Sequence, residues 1–143
     1  MATANAATNY LERRLLHFIF KNNSLSFATP NNSIYVGLAT AVSAAETGSL
    51  TEATFTNYAR QQVESGDWTT IGADSTDTQT AKNTNAISFP ASGGTNNTIT
   101  HVFIADAASS GNILFVGALD ASKTIESGDI FRINATNLTI ELK

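Results

Sequence analysis

Two hydrophobic periods divide this chain. Residues 1–8 are small and polar with no period, and read as a flexible arm. Leu11, Leu15, Phe18 and Ile19 then recur at helical spacing, and Leu16 and Phe20 widen the stripe. Glu12, Arg13 and Lys21 fall elsewhere around the wheel. Asn9 precedes Glu12 at capping-box spacing, where an amide oxygen accepts from an early N–H and the carboxylate reaches back. The turn formers Asn22, Asn23 and Ser24 supply a stop. The pattern predicts an amphipathic helix of about three turns. Its apolar face lies against a sheet or docks on a neighbouring subunit.

From residue 34 the period shortens. Ile34-Tyr35-Val36-Gly37-Leu38 follows Pro30-Asn31-Asn32 and reads as a strand. Residues 42–57 are weakly patterned and read as a long surface loop, with strands expected at Tyr58–Val63 and from Trp68 to Ile71. Residues 73–85 are almost wholly polar and read as a second long loop; Ala86–Phe89 is a strand stopped by Pro90. Ile99–Ala105 and Ile113–Leu119 flank a Ser-Ser-Gly-Asn turn, a hairpin signal. Ile113–Val116 is apolar on both faces, so that strand should be central and covered on both sides. Gly128-Asp129 turns the chain into Ile130–Ile133, and Leu138, Ile140 and Leu142 alternate with Asn137, Thr139 and Glu141. About seven or eight short strands behind one helix predict a mainly β fold, a β-sandwich or jelly roll. Residues 9–143 form a single domain behind the arm.

Composition sharpens this picture. Ser, Thr and Asn number 13, 20 and 14 of 143 residues, while charged residues make up only 14%. Hydroxyls and amides in place of Lys and Glu favour strands and turns over helices. The net charge of −4 offers no basic field for nucleic acid, and no apolar run is long enough to span a bilayer. The opening residues lack the basic, then apolar, order of a signal peptide. Cysteine is absent, which excludes disulfides and thiol nucleophiles.

Candidate chemistry is sparse. His17 and His101 lack partners at ligand spacing, and Asp74 and Asp77 lack the spaced oxygens of a calcium loop. No nucleophile elbow or phosphate-binding glycine loop occurs. Tyr35, Tyr58 and Trp68 are either core rings or a sugar-stacking platform. Arg60, in Tyr58-Ala59-Arg60-Gln61, needs a carboxylate or a row of carbonyls as partner. It either ties the Glu46/Glu52 segment to the sheet or bridges subunits. The protein is expected not to be an enzyme, with no catalytic, cofactor-binding or metal residue assigned and no cofactor.

An ordered set of segments resembles small virion structural proteins of tailed bacteriophages. It comprises Asn9-Tyr10-Leu11…Leu15, Ile34–Leu38, Tyr58-Ala59-Arg60-Gln61, Ile99-Thr100-His101-Val102 with Ala105-Asp106-Ala107, and Gly111–Phe115. Gly117-Ala118-Leu119, Ser122-Lys123-Thr124 and Ser127-Gly128-Asp129 close it, so the resemblance spans about residues 9–142. It implies a virion part made in the host cytoplasm. The first expectation is a capsid decoration (cement) protein, bound to the major capsid protein and to copies of itself as a trimer. The alternatives are a tail or tail-fibre attachment subunit bound to other tail proteins, and a carbohydrate-binding β-sandwich. Neither nucleic acid nor membrane is an expected partner.

Overall fold

The computed structural model describes residues 2–4, 6–21, 34–69 and 79–142. The turn formers at 22–24, the break at 30–32, residues 70 and 71, and Asp74 and Asp77 lie outside the described residues.

One helix, α1 (Asn9–Lys21), follows two short strands, β1 (Ala2–Ala4) and β2 (Ala6–Ala7). Then come β3 (Tyr35–Ala44), β4 (Ser49–Glu52), β5 (Gln61–Gln62), β6 (Gln79–Lys82) and β7 (Ile87–Ser88). The chain continues with β8 (Asn97–Ala105), β9 (Ile113–Ile125), β10 (Arg132–Ile133) and β11 (Leu138–Leu142). The fold is mainly β with one N-terminal helix. A large sheet runs β4-β3-β8-β9-β1-β11-β6, with β2 also on β9 and β5 also on β3; β7 and β10 form a separate ribbon. Neighbours are antiparallel except β1 and β11, which run parallel from Ala2↔Leu138 to Ala4↔Ile140.

The β8–β9 hairpin is the centre of the sheet, as its doubly apolar sequence predicts. Register runs from Asn97↔Ile125 to Ala105↔Ile113, with irregularities at Ile99/His101 and Ile104/Ala105. Its turn is clamped by Asp106, whose carboxylate accepts from the Asn112 N–H at 2.7 Å and from Asn112 Nδ2 at 2.8 Å. Ser110 and Gly111 take positive φ there, a conformation glycine adopts without a Cβ clash.

Each face of the sheet has its own core. On one, Val36, Leu38, Ile99, Val102, Ile104 and Leu114 pack with Ile87, Phe89, Phe131 and Ile133 from the ribbon and its flanks. On the other, Phe103, Ala39, Ala105 and Val116 form a smaller cluster. Phe103 is paired with Gly37, where a Cβ would stand 2.2 Å from the ring tip. Glycine is therefore required at 37 so that the ring can lie over the neighbouring strand.

The weakly patterned stretches depart from expectation. Residues 42–57 are not one surface loop: β3 runs on to Ala44, β4 returns beside it, and Ala53 and Phe55 are core residues. Ser, Thr and Ala side chains on an edge leave no hydrophobic period to read. Within the polar stretch 73–85, residues 79–82 pair with β11 as an edge strand, and Asn83 is fully buried. Asn83 Nδ2 donates to the Asn85 and Asn134 carbonyls, and its Oδ1 accepts from the Leu138 N–H. This amide joins three segments where an apolar side chain would leave their backbone groups unpaired. In the alternating C-terminal strand, Thr139 is buried rather than wet. The expected strand at Tyr58–Val63 shrinks to Gln61–Gln62, and Trp68 makes a single bridge to Asn83.

The opening segment also enters the sheet. Residues 1–8, which composition reads as a flexible arm, pair at Ala2–Ala4 and Ala6–Ala7 with β11 and β9. Small residues carry little hydrophobic signal, and backbone ladder bonds to long neighbours hold them instead.

Candidate functional site

Two constellations stand apart from ordinary core, one sealed and one open. The sealed one surrounds Arg60. Between β4 and β5 the outer edge of β3 lacks a strand partner, and the segment after β4 fills the gap. The Ala53 N–H donates to the Leu38 carbonyl at 2.8 Å, and the Leu38 N–H donates to the Tyr58 hydroxyl at 3.0 Å. That hydroxyl donates in turn to Glu52 Oε1 at 2.8 Å. Arg60 grips the same carboxylate with both arms of its fork, Nε to Oε1 and Nη2 to Oε2, each at 2.8 Å. Its Nη1 donates to the Ala107 and Ser110 carbonyls in the β8–β9 turn, and the guanidinium lies 5.0 Å from the Phe103 ring centre. Asn97 Oδ1 latches the same segment by accepting from the Thr54 and Phe55 N–H groups.

The Arg60 side chain is only 5% exposed, so this cation works inside the molecule. Of the two roles open to it, tying β4 to the sheet is the one the geometry shows, through Glu52. Glu46 instead supplies its carbonyl to the Asn9 N–H. The hydrogen bond to Glu52 raises the Arg60 pKa further, and burial pushes the Tyr58 phenol well above its ordinary value near 10. Neither group is poised to exchange protons near neutrality.

The other candidates do not converge. Tyr58 packs edge-on to Phe55 and stacks on Phe89, and Trp68 leans on the main core, so these rings are spent on packing. His101 sits mid-β8 with Nδ1 2.7 Å from Thr100 Oγ1, and burial lowers its pKa. His17 lies half-buried on α1. Among the described residues no cluster of His, Asp and Glu could hold a metal ion, and no helix is long and apolar enough to cross a membrane. An open groove of about 710 Å³ runs beside the distal half of β9, lined by Leu119, Lys123, Glu126, Asp129 and Ile130 among others.

The open constellation is α1. Its start is set one residue earlier than the Asn9–Glu12 spacing implies. Thr8, 1% exposed, is the cap: its Oγ1 accepts from the Leu11 N–H at 3.4 Å and donates to the Ile113 carbonyl at 2.6 Å. Anchoring of Thr8 on β9 decides the cap, while Asn9 is already helical and exposed. Leu11 is buried, and Tyr10 and Leu15 pack against the main core. Beyond Leu15 the large apolar side chains stand in water. Leu16, Phe18, Ile19 and Phe20 are 56%, 52%, 64% and 74% exposed. Leu16, Ile19 and Phe20 share one outward arc of the helix, while Phe18 lies on the side of Leu11.

A family model described as podophage GP4 fiber I protein gp80 matches residues 6–141. The chain belongs to this phage fibre family. The match begins just before α1 and ends within β11, so the sealed network and the open helix both fall inside it. No curated protein matches the chain. Membership in the fibre I family makes this a phage virion structural protein, in agreement with the resemblance carried by the sequence.

Proposed function

We propose that this protein is a subunit of a tail-fibre assembly that works by contact rather than catalysis. Other tail proteins and further copies of the chain are its partners. The observation that carries the reading is the family match over nearly the whole chain to a fibre protein. The surface supports it: few charges, many hydroxyls and amides, and one exposed apolar helix face can be buried at low desolvation cost. The sealed Arg60 network supports a non-catalytic role, since its strongest polar groups are used up in holding the fold together.

The capsid-cement reading rests on the same passive surface chemistry, and the fibre description favours the tail over it. Quantitative mass spectrometry of purified particles separates the two. A fibre subunit is expected at a small, fixed copy number tied to the tail, whereas a cement protein would appear in hundreds of copies that scale with the major capsid protein. Copy number of the second kind would overturn the tail reading.

A further inference from the structure

Arg14 is the opposite of Arg60. Each arm of Arg60 has an acceptor, whereas the buried Nε of Arg14 has no hydrogen-bond partner among the described residues. The Arg14 guanidinium lies 5.2 Å from the Tyr10 ring centre, a contact that supplies no acceptor for its fork. A buried donor without an acceptor calls for a missing partner. At 100° per residue Arg13, Lys21 and Arg14 share an arc of about 100°, on the side of α1 away from Glu12. No Asp or Glu stands three or four residues from any of the three, so the helix gives them no counter-charge. Among the described residues none of the three forms an ion pair. The arc also reverses the sign of its surroundings. α1 carries three basic side chains and one acidic, and the remainder of the chain five basic and eleven acidic.

We propose that this arc of α1 docks an acidic segment of another virion protein, with Arg14 taking a carboxylate in its fork and Arg13 and Lys21 flanking it. A guanidinium and a carboxylate match each other in two parallel bonds, which a partner carboxylate can make and the Tyr10 ring cannot. Lys21 sits in the last turn, where the negative end of the helix dipole offsets its charge, so the mid-helix Arg14 is the stronger subsite. A long polyanion such as nucleic acid, or an anionic membrane, would also meet the eleven acidic groups of the remainder. A short acidic segment touches the arc alone. The inference rests on the reading of the chain as an assembly subunit and deepens it by giving the partner's chemistry.

The test starts on purified particles with a carbodiimide, which joins an amine to a carboxylate only where the two touch. The exposed Lys21 is expected to be joined to an Asp or Glu of a different virion protein. Arg14→Gln keeps a good helix former while removing the charge and the fork, so the full chain should melt at the wild-type temperature. Its incorporation into particles at limiting supply should fall about tenfold, as loss of one charge-assisted pair implies. Arg14→Lys keeps the charge without the fork and should recover only part of that loss. Arg13→Gln, at an exposed position, should show a smaller loss free of any effect on the fold. In solution a capped hexaglutamate peptide should shift the amide resonances of α1, with a response that fades with salt and is absent in Arg14→Gln. Cross-links from Lys21 only to its own chain or to further copies overturn the inference, as does full incorporation of Arg14→Gln. Tighter binding of a double-stranded DNA oligonucleotide than of hexaglutamate overturns it too. A cross-linked partner that proves to be a capsid protein keeps the docking site and overturns the tail reading, whereas cross-links confined to the chain itself leave the tail reading standing.

Discussion

The edge of β3 around Arg60 and the second half of α1 solve opposite problems. At the edge of β3, a gap between β4 and β5 would leave backbone groups unpaired, and the protein closes it with Tyr58, Glu52 and Arg60 in a chain of bonds of 2.8–3.0 Å. In α1 the apolar stripe continues past its support, and nothing described closes over Phe18, Ile19 and Phe20. A polypeptide able to satisfy a buried edge so fully has no need to leave four large side chains in water. The difference is that the edge of β3 is satisfied within the chain, whereas among the described residues the last turns of α1 keep their large side chains exposed.

The comparison breaks most visibly at Arg60. Arg60→Ala removes both arms from Glu52 and leaves the Ala107 and Ser110 carbonyls unanswered. Losing one partner of a buried pair costs about 3–5 kcal/mol. Glu52 is 31% exposed and can partly rehydrate, so about 2–3 kcal/mol is expected by denaturant unfolding. Asn83→Ala should follow at about 2 kcal/mol, because it strands the buried Leu138 N–H and removes the donor to the Asn85 and Asn134 carbonyls.

Mild alkali tests the sealed region without a mutation. Burial holds the folded Tyr58 pKa above its unfolded value, so folding binds the phenolic proton more tightly than unfolding does. The stability this contributes is complete below about pH 10 and is lost progressively above it. Melting temperature should therefore fall in that range, and Tyr58→Phe should flatten the fall. The smallest effect belongs to the open region: Phe20→Ser should change monomer stability by no more than about 0.5 kcal/mol. A loss several times larger would mean that Phe20 packs within its own subunit.

What the sequence made legible was whatever had a strong period. Leu11, Leu15 and Phe18 announced the helix, and Ile113–Val116 announced a doubly covered central strand, because in both the side-chain pattern matches the backbone repeat. Short, mostly polar edge strands such as β4 (Ser-Leu-Thr-Glu) and β6 (Gln-Thr-Ala-Lys) left no such trace. Nor did β1 and β2, whose alanines are held by ladder bonds to distant strands. Arg60 could be singled out because a lone arginine in a strand-like context demands a partner, and Glu52 was one of the two named for it. Asn83 could not, as one asparagine among fourteen. The exposed half of α1 was visible as apolar residues, but which of them the sheet would cover depends on where β9 anchors Thr8, and that is a tertiary fact.

The central proposal is that a mainly β fold presents the exposed end of α1 for assembly on the tail. The most direct test is imaging of whole particles in which this protein carries a tag at an exposed turn, such as the one after Ser127. The account predicts tag density confined to the tail and its fibres. Tag density distributed over the capsid shell would contradict it.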